Sequence, residues 1–179
     1  MADGFCLILL SFLLLTCPLR WLAASVLAAA FHELCHLGAV RLLGGQVLGF
    51  RAGVRGAVLE VAGLSPWREA LAAAAGPTGS FLLLLLAGPF PCLALCALGQ
   101  GLFNLLPVFP LDGGRILLRT LEALGLGERA GKVTAAVSWL TLAVLGLGCV
   151  LLRAPLGFFF FLPLALRNIP CKQGQGIVQ

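Results

Sequence analysis

The sequence predicts a membrane protein, an all-α bundle of about six transmembrane helices with a small β-hairpin or sheet inserted at 46–62. Three observations predict it. Of 179 residues, 60% are apolar and 11% charged, where a soluble domain carries about 25% charged residues. Mean hydropathy is +1.06. The apolar residues fall in long runs broken by Pro, Gly and Arg, and only 46–62 departs from that pattern, being Val-rich, Gly-punctuated and partly alternating.

The first run, Phe5 to Leu19, is short for a span and ends at Pro18 and Arg20. The second, Trp21 to about Leu43, is stopped by Gly44-Gly45. The β segment follows; its open edge has to lie at the surface or within the protein, because lipid offers no hydrogen-bond partners. Pro66-Trp67-Arg68-Glu69 opens a third helix, with Pro early, an aromatic for the interface and an acid in the first turn. It runs to about Gly88 through small residues that permit close helix approach. Pro89 and Pro91 mark a tight turn. The fourth run, Cys92 to Leu106, leads into Pro107-Val108-Phe109-Pro110-Leu111-Asp112-Gly113-Gly114. Arg115 to Leu124 reads as an amphipathic helix, Lys132 to Leu152 as a fifth span, and Gly157 to Leu166 as a short sixth. Residues 1–166 are therefore expected to form one domain and 167–179 a polar tail. No internal repeat is visible.

With the N-terminus cytoplasmic and all six runs spanning, only Arg20 and Arg153 of the 12 Lys and Arg lie outside, and the other ten (12 − 2) lie inside. That is a strong positive-inside bias. It supports a multi-pass protein of a bacterial cell membrane. The net charge of +5 does not imply nucleic acid, since the basic residues sit at the ends of apolar runs and form no stripe. The seven Cys are odd in number, lie mostly in apolar runs and build no disulfide framework. Met1-Ala2-Asp3-Gly4 lacks a basic stretch, so no cleavable signal peptide is expected.

The second run carries His32-Glu33-Leu34-Cys35-His36. At about 100° per residue the two imidazoles lie roughly 40° apart on one helix face, close enough to share a metal. Glu33 points to the flank, where it can reach a water at that metal. Such groups in a spanning helix cost several kcal/mol unless paired or metal-bound, so they point to function. A catalytic zinc usually takes three protein ligands plus water. The chain has only 2 His, so the third ligand has to be Cys, Asp or Glu. Asp112 is the best candidate; on spacing alone it equally well caps a helix starting near Arg115. Cys35 lies about 100° from His36 and is a poorer ligand.

HELCH in a helix, a β-rich segment after it, the pair Gly76-Pro77, and Asn104-Leu105-Leu106-Pro107-Val108-Phe109-Pro110-Leu111-Asp112-Gly113-Gly114 together resemble the site-2 protease family of intramembrane metalloproteases. The compact form is similar to the sporulation-type branch, the stage IV sporulation FB proteases, without a nucleotide-sensing CBS domain. The resemblance covers about residues 5–166. It implies one zinc per chain on His32, His36 and Asp112, Glu33 as the catalytic carboxylate, and Asn104 near the substrate. Family members often carry an Asn shortly after the GP pair, where this chain has Thr78-Gly79-Ser80.

The expected activity is zinc-assisted hydrolysis of a peptide bond in or near a substrate's membrane segment. Glu33 handles the proton of the attacking water. Asn104 either hydrogen-bonds the substrate or ties together a broken helix end. The expected partners are a membrane-associated protein substrate and a membrane inhibitor or gating protein, with no nucleic acid. Candidate substrates are a pro-sigma factor, an anti-sigma factor or a signal-peptide remnant. The alternative is a non-catalytic metal-binding membrane protein, a transporter or a scaffold. A transporter should carry polar groups along several spans, and a degenerate scaffold should have lost Glu33.

Overall fold

The computed structural model describes residues 18–53 and 56–151. The first apolar run up to Cys17, the sixth run and the tail lie outside the described residues.

Helix α1 spans Leu19–Leu42. It ends in a Schellman arrangement: Gly44 takes the left-handed conformation (φ +83°), its N–H donates to the Arg41 carbonyl, and the Gly45 N–H donates to that of Val40. The Gly44-Gly45 stop seen in the sequence is thus a helix cap. The buried residues of α1 are Ala24, Ala28, His32, His36 and Val40. Every one is four residues from the next, so the two histidines continue an inward stripe that alanines begin. The opposite face exposes Val26, Leu27, Phe31 and Leu34.

Strands β1 (Gln46–Gly53) and β2 (Gly56–Ala62) pair antiparallel. The register runs from Gln46↔Ala62 to Gly53↔Gly56 and slips between Val47 and Gly49, leaving Leu48 without a partner. That is the signature of a bulge, which bends and twists the ribbon.

Helix α2 spans Pro66–Leu82 and continues as a 3₁₀ turn over Leu83–Leu86. This is shorter than the run to Gly88. Pro66 sits in its first turn, where a missing N–H costs nothing. Its buried face is made of Ala70, Ala72, Ala73, Gly76, Pro77, Gly79 and Ser80, small enough for α1 to come close.

Helix α3, Pro91–Asn104, buries Ala94, Ala97 and Gly101. Ala28, Leu83 and Ala97 form a core with Leu93 and Cys96 against it. The helix stops two residues before the expected Leu106. Pro107 disfavours helical backbone in the residue ahead of it. At about 1.5 Å per residue, α3 is roughly 21 Å long, less than a bilayer's hydrocarbon core.

Helix α4 spans Asp112–Ala123, starting three residues earlier than the sequence suggested. Leu111 holds the cap position and Asp112 the first turn. Asp112 therefore does not cap a helix starting near Arg115. Gly113 and Gly114 are needed where they stand. A Cβ on Gly113 would strike the Leu105 carbonyl, and one on Gly114 would strike the backbone of Val108 and Phe109. The chain folds back on itself here with backbone against backbone. An ion pair joins α4 to the start of α2, Arg119 Nε to Glu69 Oε2 at 2.7 Å, and the same guanidinium reaches Glu122.

Helix α5 spans Glu128–Leu151. Its Leu142 packs with Val108, flanked by Phe103, Leu106 and Leu111. Ser138 of α5 is fully buried. Its Oγ accepts the Phe109 N–H at 3.0 Å and donates to the Thr134 carbonyl at 2.8 Å. The segment leading to Asp112 is thereby pinned from the α5 side. Among the described residues, three helical stretches are long and apolar enough to cross a membrane: Leu19–Leu42, Pro66–Leu86 and Glu128–Cys149.

Candidate metal centre

Two elements bring His32, His36 and Asp112 to one point. Helix α1 supplies both imidazoles from its inward stripe, and the fold-back at Gly113-Gly114 delivers the carboxylate. His32 Nε2 and Asp112 Oδ2 are 2.9 Å apart, His36 Nε2 and Asp112 Oδ2 3.2 Å, and the two Nε2 atoms 3.1 Å. All three side chains are buried, and among the described residues they form the group able to hold a metal ion.

The outer ring nitrogens are held as well. His36 Nδ1 donates to the Ala72 carbonyl at 2.8 Å, and His32 Nδ1 lies 2.9 Å from the Ser80 hydroxyl. Both partners belong to α2. A carbonyl oxygen only accepts, so the proton of neutral His36 is on Nδ1 and its Nε2 turns a lone pair inward. That lone pair meets a carboxylate oxygen and a second imidazole nitrogen. At these separations the group is satisfied either by a ring proton on His32 Nε2 or by a cation shared among the three donors. A tetrahedral zinc with ligands at about 2.0–2.1 Å sets its donors roughly 3.3 Å apart, a few tenths of an ångström wider than the separations here.

Gly76 is what lets both imidazoles lie this close to α2. A Cβ placed there would collide with His36 Nε2 and stand 2.7 Å from His32 Nε2. The missing side chain leaves open the space on which the donors converge. Cys35 takes no part: its Sγ packs where a Cβ on Gly79 would go, as its position off the histidine face implied.

Glu33 is half-buried beside the pair. Among the described residues it has no hydrogen bond or ion pair. A carboxylate on an apolar helix is costly, and its charge acts on the neighbouring His36. The Asn104 amide, at the end of α3, lies 3.3 Å from His32 Nε2. It stands at the rim of the donor set.

Gly76, Ser80 and the Ala72 carbonyl were not singled out from the sequence as parts of the site. The spacing of 72, 76 and 80 by four residues places them on one face of α2, a signal visible once α2 is known to pack on α1.

The family model for peptidase family M50 matches residues 85–147. A Synechocystis protein provisionally named a zinc metalloprotease is 32% identical over 160 residues, 78% of this chain. The chain spans about two fifths of that relative, 41% of its length. The site-2 protease of Methanocaldococcus jannaschii has the same fold: the TM-score is 0.70 at 21% identity, covering 99% of this chain and 92% of that one.

Proposed function

We propose that the chain, which matches the peptidase family M50 model over residues 85–147 and is 32% identical to a relative of which it spans 41%, is a member of that family and an intramembrane zinc metalloendopeptidase cutting a protein substrate in or near its membrane segment. The observation that carries this is the convergence of His32, His36 and Asp112, at 2.9–3.2 Å, on the space Gly76 leaves open. His32, His36 and Asp112 would hold one zinc. Bound there, zinc supplies Lewis acidity that polarises the scissile carbonyl and lowers the pKa of a water toward neutrality.

The chain's own residues do the rest. Glu33 takes a proton from the attacking water and returns it to the leaving amine. The Asn104 amide is within reach of a carbonyl that develops negative charge beside His32 and donates to it. The Ala72 carbonyl and the Ser80 hydroxyl keep the imidazoles from rotating. A substrate helix hides its amides in i→i−4 bonds, so it unwinds before attack. Pairing with the β1–β2 hairpin stabilises the extended form.

The finer reading is a six-span, compact sporulation-type protease with its site open to the cytoplasm. Its substrate is a pro-sigma factor, an anti-sigma factor or a signal-peptide remnant, and a membrane inhibitor or gating protein controls access. The lysine and arginine distribution supports the orientation. The retained, unpaired Glu33 favours an enzyme over a metal-binding scaffold. The test is cleavage of a co-expressed membrane-anchored substrate by wild type, with chelation abolishing it and zinc restoring it. A chelator-treated protein that cleaves normally would refute the reading.

A further inference from the structure

The two histidines face chemically different partners on α2. His36 Nδ1 meets a carbonyl, which only accepts, so neutral His36 keeps one tautomer, with Nε2 free to ligate. His32 Nδ1 meets the Ser80 hydroxyl, which both donates and accepts. Ser80 is 0% exposed, and His32 Nδ1 is its one side-chain partner among the described residues. On its other side, His32 Nε2 is 2.9 Å from the Asp112 carboxylate.

From this asymmetry we infer that Ser80 is a positioning residue that lets His32 exchange tautomers between a metal-free and a metal-loaded site. Without metal, the Ser80 O–H donates to Nδ1 and the Nε2–H donates to Asp112, so His32 is hydrogen-bonded on both sides. With metal, Nε2 gives its lone pair to the ion and the proton resides on Nδ1, donating to Ser80 Oγ. The serine proton then turns to a carbonyl of its preceding helical turn. His32 stays neutral throughout, and Asp112 is freed to ligate. The metal-free pocket is therefore held shut by Ser80–His32–Asp112, without collapse of an unsatisfied carboxylate. A fixed acceptor at position 80 would not allow this state.

The inference rests on the zinc reading, and its test separates the two. With 2 His in the chain, selective ¹⁵N-histidine labelling of the full-length protein in detergent gives two rings. On zinc addition to chelator-treated protein, one ring is expected to change from Nε2–H to Nδ1–H while the other remains Nδ1–H. If zinc does not bind, the functional reading fails. If zinc binds and both rings are Nδ1–H before and after, the reading stands and the exchange is refuted. Ser80→Ala is expected to weaken zinc, in chelator competition, by about 10- to 100-fold, and Ser80→Thr, which restores the hydroxyl, to recover most of it. Wild-type affinity in Ser80→Ala would overturn the role of Ser80. Should that variant not fold, the tautomer measurement on the wild-type protein decides alone.

Discussion

Gly76 and His36 cannot both carry a side chain where they stand. A Cβ at residue 76 would collide with His36 Nε2, and the ring cannot swing aside while Nδ1 is bonded to the Ala72 carbonyl. Gly76 sits inside α2, where glycine is otherwise unfavourable by about 1 kcal/mol relative to Ala. The cost is accepted because the imidazoles and the helix backbone need the same few ångströms.

Gly76→Ala is accordingly expected to lose zinc and activity together. Its helix propensity would improve, so any drop in melting temperature reports overpacking, on the order of 1–3 kcal/mol. Metal analysis of the purified variant decides; full zinc occupancy would show that the space is not the metal's.

Glu33→Gln should keep zinc close to the wild-type level and lose cleavage by about 10²- to 10⁴-fold, the usual contribution of a general acid–base. The amide is isosteric and cannot carry the proton. Parallel measurement of zinc content and substrate cleavage separates this from a ligand loss, and wild-type cleavage would end the assignment.

Asp112→Ala and Cys35→Ala form a pair. The first removes an oxygen 2.9 Å from His32 and 3.2 Å from His36 and should strip zinc. The second shortens a side chain packed on Gly79 and should leave zinc in place. The reverse pattern in metal analysis would exchange the roles of the two residues.

For orientation, Arg55→Cys and Lys172→Cys in a Cys-free background should resist a membrane-impermeant thiol reagent in intact cells and react once the cells are opened. Arg153→Cys should react in both. The expectation follows from the six-span reading, under which ten of 12 basic residues fall on one side. Labelling at position 55 in intact cells would place the site's opening on the other face.

The meeting of the two histidines was legible because their geometry is local: four residues make about one turn, and a spanning helix tolerates no idle imidazole. Asp112 could be nominated and not decided. Cap and ligand share the same spacing, and only the fold-back at Gly113-Gly114, a tertiary feature, separates them. The helix start at Asp112 was missed for the same reason. Ser80, Ala72 and Gly76 were invisible in their role because small residues advertise close approach without saying to what. The long apolar runs announced a membrane protein from composition alone, yet α3 is shorter than its run, since Pro107 cuts the helix before the apolar residues end.

Ser138 donates nothing to the donor set, yet it holds the Phe109 amide from the middle of a 24-residue helix. Such a helix adjusts its tilt to the thickness of the surrounding hydrocarbon. Through one hydroxyl, the segment that carries Asp112 is tied to a helix whose length and apolarity suit a bilayer.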